Sequence, residues 1–224
     1  MPEIEAVIWD MDGVLADTAP YHLSAWQEIF GKRGVKITEE DFRYSFGLRN
    51  DTIIRNTLGN QTAQDEIEAI AREKEATFRR MIGHNIKPLP GAVELLQSLK
   101  QQGVKMAIAS STPIENIRLI TGSLGIANCF QTIVTGHDVT EGKPSPQVFL
   151  LAAQRLGVKP GNCVVIEDAV AGVTAAKKAG MYCVAITTTH PKESLKQADL
   201  IVDTLEAVTV NDVDKLEGAK PPNT

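Results

Sequence analysis

The stretch VIWDMDGVLADT, residues 7–18, contains the features that decide both the fold and the chemistry of this chain. An apolar run, residues 6–9, ends at Asp10, and a second aspartate, Asp12, follows after one residue. Such a run predicts a strand that is buried on both faces, as in a parallel sheet. Two carboxylates at the end of a buried strand repel one another, and Gly13 permits a tight turn directly after them. We therefore expect a cation beside the two aspartates.

Apolar strand patterns alternate with helical patterns over most of the chain, and glycines follow the helical patterns as stop signals. This alternation predicts an α/β fold with a Rossmann-like parallel sheet core and helices on both faces. In such sheets, ligands bind at the carboxyl ends of the strands. The predicted strands are 6–9, 105–109, 132–135, 163–167, 182–186 and 200–202. The predicted core helices are 91–102, 114–124, 145–156 and 169–179.

Residues 17–87 break this rhythm, because they show helical periodicity without a strand pattern. We therefore predict a split α/β core, residues 1–16 and 88–224, with an inserted all-α helical domain, residues 17–87. The predicted helices of this insert are 21–30, 39–46, 52–58 and 63–81. The polar tail, residues 218–224, contains two prolines and is expected to be disordered.

The composition restricts the classes of function that the chain could have. Its 224 residues carry a net charge of −5, which argues against non-specific nucleic-acid binding, and 43% are hydrophobic, enough for a substantial core. The sequence contains no apolar run of membrane-spanning length and no signal-peptide pattern at its N-terminus. The three cysteines lack a CxxC spacing and are expected to be free buried thiols. We expect a cytoplasmic protein without membrane or nucleic-acid partners, and a monomer by default.

Polar residues follow three of the predicted strands, at the edge where the carboxyl ends of parallel strands meet. They are Asp10 and Asp12 after the first strand, Ser110 and Ser111 after the second, and Glu167 and Asp168 at the end of the fourth. Lys143, in the segment EGKPSP just before a helix, is expected at the same edge. Clustered carboxylates with other oxygen donors suit a hard divalent cation, and Mg²⁺ fits because it needs few protein ligands.

The same cluster suggests a chemistry at phosphorus. Lys143, a serine hydroxyl and backbone amides after the aspartates would form a cradle for a phosphoryl group. One aspartate could then attack phosphorus and form an aspartyl-phosphate. The other could donate a proton to the leaving oxygen and later take one from the attacking water.

Four motifs, in this order along the chain, resemble those of the haloacid dehalogenase superfamily of phosphotransferases. DMDGVLADT resembles the family's first motif, DxDGxLxDT, and IASS resembles its second, an apolar run that ends in Ser or Thr. GKPSP resembles the third motif and VIEDAVAGVTAAKKAG the fourth. The insert lies where that family places its helical cap, and the nearest branch is the β-phosphoglucomutase-like one, which holds both mutases and small-molecule phosphatases.

The resemblance implies a role for each matched position. Asp10 would be the nucleophile and Asp12 the general acid/base, while Ser110 and Lys143 would hold the transferring phosphoryl group. The implied Mg²⁺ ligands are Asp10, Asp12 through its backbone carbonyl, Glu167 and Asp168. Glu167 could reach the metal directly or through water, and it could also, or instead, serve the N-terminus of the following helix.

The resemblance leaves phosphatase and mutase open. The mutases hold a second phosphate with a Ser-x-Ser-Lys-Asn segment and an arginine of the cap. Here Pro113 and Ile114 replace the Lys and Asn, and Asn50 takes the place of the arginine, with Arg49 one residue earlier. Each lost charge-assisted contact costs about 1.5–3 kcal/mol, so a bisphosphate should be held weakly. This favours a phosphatase for a small phosphorylated sugar or metabolite, with β-phosphoglucomutase as the alternative.

Further substrate-binding candidates surround this position. They are Ser111, Thr112, Arg49, Asn50, Lys74 and His22. Lys74 matches a substrate-facing lysine of the branch, but it could equally be a solvated helix lysine paired with Glu73 or Glu75. His22 matches a hinge histidine that contacts the acid/base residue, but it could also be an ordinary surface histidine.

A function from another class is a receiver-type signalling domain that is phosphorylated on aspartate. Receivers also combine acids, Ser or Thr and Lys on an α/β sheet, but their acceptor aspartate follows the third strand. Here the third strand is followed by Gly136 and His137 rather than by an aspartate. The helical insert would also have no purpose in a receiver, so the enzyme is favoured.

Overall fold

The parallel sheet predicted from the alternating patterns is present. The structure is a computed structural model that describes residues 4–83 and 86–216. Six parallel strands are ordered β3-β2-β1-β4-β5-β6, so β1 lies at the centre of the sheet. The strands are β1 (Ala6–Trp9), β2 (Lys105–Ser110), β3 (Thr132–Thr135), β4 (Cys163–Glu167), β5 (Tyr182–Ile186) and β6 (Leu200–Val202). The prediction of an α/β fold is confirmed.

Helices cover both faces of this sheet, which explains why the strand sequences are apolar on both sides. The helices of the core are α5 (Ala92–Gln101), α6 (Ile114–Ser123), α7 (Gln147–Leu156), α8 (Val170–Lys178) and α9 (Val210–Lys215). On one face, Val7 and Trp9 pack with apolar residues of α5, α6 and α9. On the other face, Ala6 and Ile8 pack with residues of α7 and α8. Alternate residues of β1 therefore serve two separate hydrophobic layers.

Five of the six predicted strands have the observed bounds, and the ends of β2 and of the predicted core helices differ from the observed ones by two residues at most. Strand β2 ends at Ser110 rather than 109, because Ser110 still pairs with Thr135 of β3. Helix α7 begins at Gln147 rather than 145, since Pro146 precedes its first turn. Helix α9 was not predicted from the sequence; its first turn is closed by reciprocal hydrogen bonds between Thr209 and Asp212.

Between β1 and α5 lies the helical insert, which consists of α1 (Ala19–Gly31), α2 (Glu39–Ser45), α3 (Asn50–Leu58) and α4 (Gln64–Ile82). Its helices share a hydrophobic cluster that includes Trp26, Phe30 and Ile54. Helix α3 begins two residues before the predicted 52, so that Asn50 is its first residue.

The two chain crossings between insert and core lie side by side. Ala16 forms an isolated β-bridge with Pro88, and the amide of Leu89 donates to the carbonyl of Leu15 at 3.1 Å. The predicted domain bounds of 16/17 and 87/88 fall at this point of contact. The disorder expected for residues 218–224 concerns positions outside the described residues.

All three cysteines are buried and free, as expected. Within residues 4–83 and 86–216, no helix combines the length and the apolarity that crossing a lipid bilayer requires.

Candidate active site

The register of the sheet brings the first acid cluster together. Trp9 of β1 pairs with Ile166 of β4, so the next residues, Asp10 and Glu167, are neighbours at the carboxyl ends of adjacent strands. Asp168 follows directly, in the turn before α8. Because side chains at the same level of adjacent strands lie on the same face, these carboxylates converge.

Lys143 lies between two of these carboxylates. Its Nζ donates to Asp10 Oδ1 at 2.7 Å and to Glu167 Oε1 at 2.6 Å. The other oxygen of Glu167 accepts the backbone amides of Asp168 and Ala169, each at 2.9 Å. Glu167 therefore serves both the cluster and the turn that leads into α8, as the sequence analysis allowed.

The acid cluster carries more negative charge than Lys143 can balance. Burial raises the pKa of Asp10 to about 7, and the nearby carboxylates of Glu167 and Asp12 add to the rise, although Lys143 opposes it. Burial also raises the pKa of Asp168 well above its usual value, with Glu167 and Asp10 as further causes. The pKa of Lys143 itself is raised, because the attraction of the two carboxylates outweighs its burial. A divalent cation would remove this imbalance.

The atoms of the cluster fit such a cation. Asp10, Glu167 and Asp168 each offer a carboxylate oxygen, and these three oxygens lie within 4.8 Å of one another. Asp168 Oδ1 is buried and has no hydrogen-bond partner among the described residues, whereas its Oδ2 accepts from Thr189. An ion would satisfy this orphaned oxygen. The side chain of Asp12 is not part of the cluster.

Two glycines make room for these carboxylates. A Cβ on Gly13, whose φ is +76°, would lie 2.0 Å from Asp168 Oδ2. A Cβ on Gly172 in α8 would lie 1.7 Å from Glu167 Oε1. Both positions must stay glycine for the acids to keep their places.

Asp12 faces away from the cluster, towards the insert. Its Oδ1 accepts from Thr18 Oγ1 at 2.6 Å and from His22 Nε2 at 3.1 Å, and its Oδ2 accepts from Thr112 Oγ1 at 2.8 Å. Burial alone would raise its pKa, but His22 and the two hydroxyls outweigh burial and lower the pKa to about 2. Two aspartates one residue apart therefore have opposite pKa shifts.

A buried chain of polar groups continues from Asp12 into the insert. Lys74 Nζ lies 2.7 Å from His22 Nδ1 and 2.7 Å from Glu75 Oε1. An ammonium group can only donate, so His22 Nδ1 accepts and His22 Nε2 carries the hydrogen that is donated to Asp12. The ring of His22 is also stacked on Phe78, with centroids 4.0 Å apart. Lys74 is therefore buried rather than solvated, and of the two acids considered as partners it pairs with Glu75 and not with Glu73. His22 is also buried rather than a surface residue.

Asp12, His22 and Lys74 line a cleft between insert and core, which we call the inner cleft and whose cavity volume is about 30 Å³. The core contributes the polar residues Asp10, Asp12, Ser110, Ser111 and Thr112. The insert contributes His22, Asn50 and Lys74 beside an apolar wall of Trp26, Phe42, Phe46, Leu48 and Ile53. Lys143, Glu167 and Asp168 lie behind Asp10 rather than on this wall.

The remaining predicted substrate contacts have protein partners. Arg49 donates to the carbonyls of Val139 and Thr140, each at 3.2 Å, so it bridges the insert to a core loop outside the inner cleft. Asn50 donates to Glu75 at 2.8 Å. Ser111 Oγ donates to the carbonyl of Gly47 at 2.8 Å, a second contact between core and insert.

Among the polar groups of the site, Asn116 and Thr189 were not predicted from the sequence, and Glu75 was named only as a possible partner of Lys74. Asn116 of α6 donates to Glu75 at 2.5 Å and accepts from Arg79 at 2.8 Å. A signal for Glu75 was its position beside Lys74, but adjacent residues on a helix do not normally face one another. Thr189 lies in a loop after β5, and its type and spacing gave no signal.

The chain matches a known protein family over the residues of this site. A family model described as haloacid dehalogenase-like hydrolase matches residues 4–180, which covers every residue of the acid cluster and of the inner cleft. This chain belongs to the haloacid dehalogenase-like hydrolases. The resemblance inferred from the four motifs is therefore confirmed, and the receiver-type alternative is not supported.

Similar proteins and solved structures indicate the branch of the family to which the chain belongs. The chain is 34% identical to fructose-1-phosphate phosphatase YqaB of Escherichia coli K12, over 80% of this chain and 94% of the relative. The structure of a β-phosphoglucomutase from Clostridium difficile has a TM-score of 0.88 and 30% identity, over 96% of this chain and 98% of that one. The hydrolase is thus an enzyme of the phosphatase and phosphoglucomutase kind, in the β-phosphoglucomutase-like branch.

One relative is much longer than this chain. The protein SUPPRESSOR OF QUENCHING 1, chloroplastic, of Arabidopsis thaliana is 34% identical over 94% of this chain, but the match spans only 21% of the plant protein.

Proposed function

We propose that this hydrolase is a Mg²⁺-dependent phosphatase that removes a phosphoryl group from a small phosphorylated sugar or metabolite through an aspartyl-phosphate on Asp10. Asp10 suits the role of the nucleophile because it is the one acid that belongs to the acid cluster and also lines the inner cleft. Its carboxylate would attack phosphorus, the bond to the leaving oxygen would break, and the product alcohol would depart.

Mg²⁺ would be held by Asp10, Glu167 and Asp168, where it would supply the positive charge that lets these carboxylates ionise together and that attracts the phosphoryl oxygens. Lys143 favours the ionised form of Asp10, although burial outweighs it, and orients the carboxylate through the 2.7 Å hydrogen bond. Ser110, which is 1% exposed and also lines the inner cleft, would donate its hydroxyl to the phosphoryl group.

Asp12 would carry the proton. In the described arrangement it only accepts hydrogen bonds, so it suits the second half of the reaction, in which water attacks phosphorus and Asp12 takes the water's proton. To donate to the leaving oxygen in the first half, Asp12 must first be protonated. The negative phosphoryl group of a bound substrate would favour that form by raising the pKa of Asp12.

One observation favours hydrolysis over mutase chemistry: the polar groups of the insert are already hydrogen-bonded to other groups of the protein. Arg49 is bound to two core carbonyls and to Asp51, and Asn50 is bound to Glu75. Pro113 and Ile114 offer no side-chain donor. A bisphosphate that turns round in the site would therefore find few donors for its second phosphate.

A screen of phosphomonoesters with Mg²⁺ tests this proposal. We expect phosphate release from at least one small sugar phosphate, and its loss by about 10³-fold or more in Asp10→Asn, because that change removes the nucleophile. The exposed acid Asp17 provides the matched control, and Asp17→Asn should retain activity. No turnover of any phosphomonoester, or undiminished turnover by Asp10→Asn, would contradict the proposal.

The second candidate is β-phosphoglucomutase activity, which is favoured by the match over nearly the whole chain to a β-phosphoglucomutase structure. A coupled assay for conversion of β-glucose 1-phosphate to glucose 6-phosphate, primed with the bisphosphate, separates the two activities. Isomerisation that is faster than phosphate release would make the mutase the better assignment.

Movement of the insert would complete the proposed cycle. The adjacent crossings at Ala16 and Pro88 would act as a hinge that lets the insert close over the inner cleft and then release product. A monomeric state and a cytoplasmic location remain predictions from the sequence.

A further inference from the structure

The insert brings one lysine to the inner cleft. Among the described residues that line this cleft, Lys74 is the one lysine or arginine, and it is only 2% exposed. The neighbouring wall is apolar and aromatic, and the ammonium group lies 5.2 Å from the ring centroid of Trp26. A leaving group beside this wall would meet the charge of Lys74 unless another group cancels it.

Glu75 supplies the cancelling charge. Its Oε1 lies 2.7 Å from Lys74 Nζ, and the side chain is 6% exposed, so solvent screens the pair weakly. The amides of Asn50 and Asn116 donate to Oε1 and Oε2 and hold the carboxylate in place. These donors also favour its ionised form, and the pKa of Glu75 is lowered despite burial, mainly by Lys74 and His22.

Glu73, the acid on the other side of Lys74 in the sequence, has a different environment from Glu75. Glu73 pairs with Lys32 and Arg33 on the outer surface, where its side chain is 39% exposed. Glu75 instead faces inward, against the cleft lysine and the core helix α6. A carboxylate that served only the stability of the insert would not need to sit against the cleft's one lysine.

We propose that Glu75 is a specificity-determining residue that acts through Lys74: by neutralising this lysine, it makes the inner cleft accept a phosphomonoester with an uncharged leaving group and disfavour one that carries a second phosphate or a carboxylate. The inference rests on the proposed phosphatase function and adds the charge class of its substrate. A leaving group that is polyhydroxylated and has an apolar face suits this wall, since hydroxyls can use Asn50 and Lys74 while carbon faces the aromatic rings.

Two aryl phosphates of the same shape provide the test. We would compare 4-carbamoylphenyl phosphate, whose leaving group is neutral, with 4-carboxyphenyl phosphate, whose leaving group is anionic. Dissociation constants would be measured calorimetrically with saturating Mg²⁺ in an Asp10→Asn parent, so that turnover does not disturb the equilibrium. The readout is the ratio of the two constants, which a general loss of stability would leave unchanged.

The ratio should follow the net charge of the pair Lys74–Glu75. We expect the parent to prefer the neutral phosphate about tenfold or more, because its neutral pair offers no net charge to offset the cost of moving a carboxylate out of water. Glu75→Gln should bring the ratio close to one, and Lys74→Gln should increase it beyond that of the parent. The double variant Lys74→Gln/Glu75→Gln restores neutrality and should return the ratio of the parent.

Glu73→Gln is the matched control, since it removes one negative charge from the same helix without touching Lys74, and it should keep the parent ratio. If Glu75→Gln does not fold, the other two variants still test the proposal: the ratio of the dissociation constants should rise in Lys74→Gln and return to the parent value in the double variant. An unchanged ratio in the folded single variants would overturn the role of Glu75 and leave the phosphatase proposal standing. Failure of both phosphates to bind the parent would overturn the inference about the leaving group, whereas the phosphatase proposal is decided separately by the phosphomonoester screen.

Discussion

The core and the insert solve the problem of buried charge beside the inner cleft in opposite ways. We call the acid cluster with Lys143 the core wall, and the pair Lys74–Glu75 with Asn50 and Asn116 the insert wall. On the core side, three carboxylates share one lysine, and the pKa values of Asp10 and Asp168 rise as a result. On the insert side, Lys74 and Glu75 form a matched pair and both oxygens of Glu75 are hydrogen-bonded. The core wall needs an added cation to be satisfied, whereas the insert wall is already complete.

This difference separates the tasks of the two parts. The charge imbalance of the core creates a place for a metal and a phosphoryl group, which are what the proposed chemistry requires. The insert has no net charge to attract a second anion, and we expect it to discriminate among leaving groups. Asp12 belongs to both walls, because it follows β1 and yet accepts its hydrogen bonds from Thr18, His22 and Thr112.

The largest expected effect concerns this link between the walls. Asp12→Asn should lower kcat by about 10²–10⁴-fold, since it removes the proposed proton carrier. Binding of phosphate with Mg²⁺ should change far less, because the side chain of Asp12 is outside the acid cluster. Kinetics and phosphate titration of the same sample check both statements, and a parallel loss of binding would show that Asp12 serves the core wall instead.

Replacing each buried lysine compares the walls directly. Lys143→Met should reduce the free energy of unfolding of the metal-free protein by about 3–5 kcal/mol, because it strands Asp10 and Glu167 without a cation. Lys74→Met should reduce the free energy of unfolding by less, because Asn50 and Asn116 still donate hydrogen bonds to Glu75. Urea unfolding with and without Mg²⁺ measures this, and Mg²⁺ should recover stability mainly in Lys143→Met. Equal recovery of stability by Mg²⁺ in both variants would contradict the proposed difference between the core wall and the insert wall.

The pKa of Asp10 predicts how stability depends on pH. Its value in the folded protein, about 7, is above the ordinary 3.8, so the folded state binds the proton more tightly than the unfolded state. Metal-free protein should therefore lose stability as pH rises from about 4 to about 7. Mg²⁺ should raise Tm by about 5 °C or more at pH 8 and by much less at pH 5. A larger effect of Mg²⁺ at pH 5 would contradict the charge imbalance.

The smallest effect tests one hydrogen bond to Asp12. Thr112→Val removes the hydroxyl that donates to Asp12 Oδ2 at 2.8 Å. We expect kcat to fall by about two- to tenfold, which corresponds to the roughly 0.5–1.5 kcal/mol of one hydrogen bond. The pKa of Asp12 should rise, so the acid limb of the pH–rate profile should move to higher pH. Thr57→Val, which removes a hydroxyl bonded within α3, should leave this limb in place.

The sequence predicted the core wall well because its information is local. An apolar run that ends in Asp10 specifies both a buried strand and the place of the acid, and the parallel register then sets Glu167 beside it. The family motifs cover the same residues. The sheet and the core helices were therefore predicted to within one or two residues at most ends, except for the short α9, which was missed.

The insert wall could not be predicted in the same way. Whether Lys74 faces solvent or the cleft depends on how α4 packs against α1, and its pairing with Glu75 depends on Asn50 of α3 and Asn116 of the core. Helix periodicity identifies a buried face but not which polar side chains meet inside it. Long-range contacts of this kind follow no spacing rule, so Asn116 was not predicted, and the choice between Glu73 and Glu75 as the partner of Lys74 stayed open.

Covalent trapping tests the central claim most directly. The purified protein would be mixed with Mg²⁺ and a substrate found in the screen, quenched with acid within one turnover, digested and examined by mass spectrometry. We predict the mass of one phosphoryl group on the peptide that contains Asp10, and its absence in Asp10→Asn and after removal of Mg²⁺. A rapidly hydrolysing wild-type sample that carries its phosphoryl group on another residue would contradict the account.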